Sequence, residues 1–128
     1  MVTVYFKNMR IFVFGNEDLE MDSLPIKIVP ELREQFPDHE FILQDPNEEW
    51  DMSESFWVID TVVGLEEPRL FDSLDAFVTG PKVSMHDFDA LTNLQFLQKL
   101  GKLPPIKIIG LPPMISKEAA LKAISSLL

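Results

Sequence analysis

The chain has 128 residues, 46% hydrophobic and 25% charged, with 10 Phe, 2 Trp, 1 Tyr and a formal net charge of −10. That length fits one domain with a core of its own, and so apolar a composition repays the entropy of ordering, which excludes an intrinsically disordered chain. The 21 acids against 11 Lys and Arg set the surface against nucleic acid, and the absence of cysteine excludes disulfides, thiolate metal sites and Cys nucleophiles.

Met9–Phe14 is a short apolar run that ends in the turn signal Gly15-Asn16, which predicts a buried strand. Upstream, Val2–Phe6 reads as either a further strand or an ordered extension, so residues 1–8 are set apart within the single domain expected over 1–128. Ser23 before Leu24-Pro25 marks a helix start, with Ser as cap and Pro in the first turn, where its missing N–H is tolerated. Leu24, Ile28 and Leu32 follow at a spacing of four, and Pro30 inside that pattern predicts a kink. Glu40–Leu43 is the next strand, closing at Asp45-Pro46, and the polar stretch Asn47–Ser55 leaves room for a loop or a single helical turn.

Phe56–Val63 is an apolar run broken only by Asp60 and Thr61, which predicts a central strand buried on both faces. Arg69–Phe71 and Ala76–Val78 read as two short strands. Asp87–Leu100 has a helical pattern carried by Phe88, Leu91, Leu94, Phe96 and Leu97, with Gly101 placed to end it. Ile106–Ile109 is a strand stopped by Gly110 and Pro112-Pro113, and Ser116 caps a last helix, Lys117–Leu127. Strand and helix alternate throughout. The expected fold is an α/β three-layer sandwich, with a mostly parallel central sheet and helices on both faces.

Charge is unevenly placed. Between Asn16 and Glu54 lie 13 acids and two bases, whereas from Lys99 onward there are five Lys and one Glu. Most of these charges read as solvated faces. Met1–Phe14 has no long apolar stretch or small-residue cleavage site, and no apolar run nears the ~18 residues that span a bilayer, so a soluble cytoplasmic protein without membrane insertion is expected.

In such sheets ligands bind outside the carboxyl ends of the strands. Asp22 follows the first strand, Asp60 is embedded near the end of the most apolar strand, and His86 stands just before the patterned helix. A carboxylate flanked by Trp57, Val58, Ile59, Val62 and Val63 costs several kcal/mol unless hydrogen-bonded, paired or metal-bound. Each residue also has a plainer use: Asp60 as the cap of a turn, Asp22 as an acid favoured by a helix dipole, His86 as a loop residue. His39 sits in a Pro-Asp-His turn with no evident role. Two carboxylates and an imidazole suit a borderline divalent ion such as zinc, nickel or iron, although gaps of 38 and 26 residues prescribe no geometry. The chain has no G-x-S-x-G elbow, G-x-G-x-x-G fingerprint or P-loop.

The ordered set of these segments resembles the nickel–iron hydrogenase maturation proteases. Met9–Asn16 followed by Asp22 looks like their opening strand, Gly-Asn turn and acidic residue. Asp45 matches an Asp ending their second strand, and Val58-Ile59-Asp60-Thr61-Val62 is similar to the end of their third. Ser84-Met85-His86 matches a Ser-x-His motif, and Ile108-Ile109-Gly110-Leu111-Pro112-Pro113 a late strand. The likeness runs from residue 9 to about 113. It departs at Met21, where the family usually has a second acid, at Pro25, which takes a Gly position, and at Pro46-Asn47-Glu48, where Gly-Gly-Thr is common. The segment from Asp45 to Asp60 is also too short for the usual helix.

The resemblance implies an endopeptidase that trims a C-terminal extension from the hydrogenase large-subunit precursor after nickel loading. It places Asp22, Asp60 and His86 as catalytic, metal-contacting residues, with Gly15, Asn16 and Asp45 positioning the substrate. The nickel would arrive on the substrate, with zinc or cadmium able to stand in for it, and oligomeric state is left open. Two other readings compete: a non-catalytic homologue that binds a metalloprotein, and a receiver-like phosphoacceptor domain. The second lacks the acid pair expected after Phe12, and Pro112-Pro113 stands where Lys-Pro belongs.

Overall fold

A computed structural model describes residues 9–45, 55–74 and 89–128. The most apolar segment is its centre. β3 (Phe56–Thr61) is buried along nearly its whole length, which leaves it no solvent face and forces a partner strand on each side. β1 (Arg10–Val13) pairs with it on one side and β5 (Ile106–Leu111) on the other, both parallel. β2 (Glu40–Leu43) adds a parallel strand outside β1, and the short β4 (Arg69–Phe71) an antiparallel one outside β5, giving the order β2-β1-β3-β5-β4.

Alternation along the strands sends side chains to two cores. Phe12, Phe14, Phe56, Val58, Ile108 and Phe71 form one with Leu94 of α3 (Asp89–Lys99), where Phe12 and Phe56 meet edge to face at 5.4 Å. Ile11, Val13, Ile59, Ile109 and Leu111 form the other with Ile28, Val29 and Leu32, and with Ala120 and Ile124 of α4 (Lys117–Leu127). Helices therefore cover both faces, as the alternation of elements predicts. No helix among the described residues is long and apolar enough to cross a membrane.

Local signals are met in most places. Ser116 accepts the Ala119 amide at 3.1 Å and starts α4. Gly101, at φ 69°, ends α3: its amide goes back to Gln98 and that of Lys102 to Leu97, at 3.0 Å each. The kink expected at Pro30 is a break two residues earlier. α1 (Leu24–Lys27) stops at Ile28, and α2 (Val29–Gln35) begins so that Pro30 falls in its first turn, where no N–H is needed.

Ser23 does not cap. It already has helical angles because a 3-10 turn (Glu20–Asp22) runs straight into α1, and its hydroxyl donates to the Glu20 carbonyl at 3.0 Å. Gly110 does not stop β5, because Asp60 and Thr61 of β3 continue the pairing opposite Gly110 and Leu111. Ala76–Val78, Asp87 and Phe88 lie outside the described residues, as do residues 1–8 and all of the Asn47–Ser55 stretch but Ser55.

The chain crosses β5 between β3 and β4, and Gly110 makes room for that crossing. A Cβ there would lie 2.8 Å from Val62 Cγ2 and 3.0 Å from both Leu65 Cδ1 and Phe71 Cε2. Since Val62 and Phe71 are buried, Gly110→Ala is expected to cost about 1–3 kcal/mol by overpacking, read as a lower urea midpoint with unchanged slope. On the opposite face Lys117 of α4 pairs with Glu31 of α2, and its hydrogen bond holds the Glu31 carboxyl below the ordinary 4.5. A carboxyl depressed in the folded state stabilises above its unfolded value and loses that contribution as pH falls through its folded value. The stability gap between wild type and Lys117→Met is therefore expected to stay constant above about pH 5.5 and to close in acid below it.

Candidate functional site

The connection from β1 leaves toward β2 on one side, and the chain then returns to β3 on the other. Strand order thus reverses between β1 and β3, which opens a crevice at their carboxyl ends. The register there is set by Val13 opposite Ile59 and by the Phe14 amide on the Ile59 carbonyl at 3.0 Å. Asp60 follows directly. It is fully buried, on the same sheet face as Phe56 and Val58, and its Oδ1 accepts the Thr61 amide at 2.8 Å. That bond ties the carboxylate to the backbone and offsets part of its desolvation.

Asp22 reaches the same end of the sheet by a closed loop. After β1 the chain turns at Gly15-Asn16, where the Asn16 carbonyl accepts the Leu19 amide and its side chain the Asp18 amide. The loop closes where the Asn16 amide donates to the Asp22 carbonyl at 2.8 Å. Gly15 permits that closure, because a Cβ there would lie 2.8 Å from the same carbonyl oxygen. Asp22 itself is 4% exposed, so the loop delivers a second buried carboxylate.

Asp45 is exposed two residues beyond β2, at the same end of the sheet, where the Gln44 amide bonds to the Val13 carbonyl at 3.1 Å. Asp22, Asp60 and Asp45 therefore lie at the carboxyl end of the sheet, with Gly15 and Asn16 shaping the loop between β1 and Asp22. His86 lies outside the described residues. His39 is at the opposite end, where its Nδ1 accepts the Met9 amide at 3.3 Å and its ring stacks on Phe36. Among the described residues no group of three or more His, Asp or Glu is placed to hold a metal ion.

Two neighbours of Asp60 escaped the sequence reading. Gly110 lies opposite Asp60, and Arg69 of β4 lies opposite Gly110, so a single row crosses three strands. The Arg69 guanidinium rests 5.0 Å above the Phe71 ring on the same face as Asp60. Only the i, i+2 spacing of Arg69 and Phe71 hinted at that stack, and no sequence pattern pointed to the row.

The glycine closure generates a test of the loop. Gly15→Ala is expected to push the Asp22 carbonyl away, at a cost of about 1–3 kcal/mol. Amide chemical-shift changes should concentrate on residues 15–23 while the β3 and β5 amides stay in place. Shifts spread evenly over the sheet would show that Gly15 does not set the loop.

No protein-family model matches the chain, and no curated protein matches it in sequence. Among solved structures, the hydrogenase maturating endopeptidase HybD from E. coli superposes with a TM-score of 0.63 at 21% identity, covering 94% of this chain and 92% of that chain. The chain therefore has the fold of that endopeptidase along nearly all of its length.

Proposed function

We propose that this protein is an endopeptidase that removes a C-terminal extension from a nickel-loaded nickel–iron hydrogenase large-subunit precursor. One observation carries the reading: two carboxylates, Asp22 and Asp60, are buried at the carboxyl ends of adjacent parallel strands where strand order reverses. A fold shared with a hydrogenase maturating endopeptidase supports it. So do the ordered motifs from Met9 to Pro113.

The chemistry follows from what the chain has. Without a Cys nucleophile or a G-x-S-x-G elbow, the attacking group is water. Its oxygen adds to the scissile carbonyl carbon, one proton passes to a carboxylate, and that proton returns to the departing amine as the C–N bond breaks. Asp22 and Asp60 are the groups for that transfer and for gripping the ion carried by the substrate, with His86 completing the set by its Ser-x-His motif. A substrate-borne ion makes loading a precondition of cutting, because only a loaded precursor presents its peptide bond in register with the carboxylates. The reading also carries a cytoplasmic place of action.

The test is incubation of nickel-loaded and nickel-free precursors with the protein, read by intact mass. Loss of the extension from the loaded precursor alone is expected, with Asp60→Asn or His86→Ala lowering the rate at least about 100-fold and leaving the thermal midpoint near wild type. An unchanged loaded precursor that nevertheless binds would favour the non-catalytic reading instead.

A further inference from the structure

Some of the exposed apolar side chains lie on the loops near Asp22. Leu19 is 49% exposed and Met21 55%, both on the loop closed by Asn16 and Asp22, and Met114 after β5 is 72% exposed. The 3-10 turn and the segment after β5 face each other across a depression of about 150 Å³, walled by Leu24, Pro113, Met114 and Ile115 and edged by Glu20 and Lys27. A space of that size takes a benzene-sized group, or one medium apolar side chain. Flexible Met and Leu at its rim adapt to what enters.

Charge selects the occupant. Glu17, Asp18 and Glu20 are exposed on the same loop, and among the residues that line the depression Lys27 is the one base. We infer that this face docks a polypeptide segment by inserting one apolar anchor side chain between Leu24 and Met114, with Lys or Arg beside the anchor meeting Glu17, Asp18 and Glu20. A buried anchor ringed by polar contacts is how short interfaces concentrate their affinity. Opposite charges on the rim add speed and partner choice. The inference takes from the functional reading only that the partner is a polypeptide. It assigns that partner a docking element beside Asp22, independent of bond cleavage.

The test is selection of peptides from a random displayed library against the whole chain, with affinities measured on synthetic copies of the enriched sequences. Enrichment of an aliphatic or aromatic residue flanked by Lys or Arg is expected. Binding should fall at least tenfold in Met114→Asp and in the double variant Glu17→Lys, Glu20→Lys, and should weaken with added salt. All three positions are exposed, and unchanged thermal midpoints verify the fold. No enrichment, or peptides that bind these variants as tightly as wild type, overturns the proposal. So does a dimer in sedimentation that Met114→Asp converts to monomer, since the face would then belong to a second copy. Selection needs no hydrolysis. Its failure with precursor processing intact removes the docking element alone, and failed processing with selection intact removes the endopeptidase reading alone.

Discussion

The pairing of β1 with β3 governs the carboxyl end of the sheet. Once Val13 lies opposite Ile59 and the Phe14 amide takes the Ile59 carbonyl, the next residue of β3 emerges at the crevice, and that residue is Asp60. On the other side of the crevice the chain has turned at Gly15, and Asp22 must come back against it. A slip of one residue would exchange the two faces of β3, sending Asp60 into the core formed by Ile28, Val29 and Leu32 and removing Ile59 from it. The apolar pattern of β3 and the placement of the acid are the same constraint.

Burying two carboxylates is unfavourable for the folded chain, and backbone groups offset part of that cost. The Thr61 amide serves Asp60, and a closed loop holds Asp22 in place through its own carbonyl. Arg69, the base in the row of Asp60, stays two strands away above Phe71.

Much of this was legible in the sequence where local chemistry decides the outcome. Ser116 and Gly101 read correctly as helix start and stop because each acts through bonds to residues three to five positions away. The apolar run around Asp60 read correctly as a central strand because it is short and rich in β-branched and aromatic residues, which suits a strand buried on both faces. Ser23 and Gly110 misled for a common reason: their local preferences were overridden by neighbours. Ser23 was absorbed into a helical turn that began before it, and Gly110 was held in β5 by pairing with Asp60. That Asp22 and Asp60 lie near the carboxyl ends of β1 and β3 was legible only as an expectation about where ligands bind in such sheets. The row linking Asp60, Gly110 and Arg69 depends on a strand order that periodicity does not encode.

The passage of the chain over Gly110 has a consequence for how the molecule is made. β4 pairs with β5, yet Arg69–Phe71 is synthesised well before Ile108–Gly110, its partners in the sheet. At ordinary translation rates of 5–20 residues per second that interval is about two to eight seconds. Throughout it, β4 has no strand to join, and the β3 edge that β5 will occupy is open. Vectorial growth thus leaves the middle of the sheet for last. The final parallel strand must enter beneath a crossing segment already attached to β3, and only a residue without a side chain fits under the strap when it arrives.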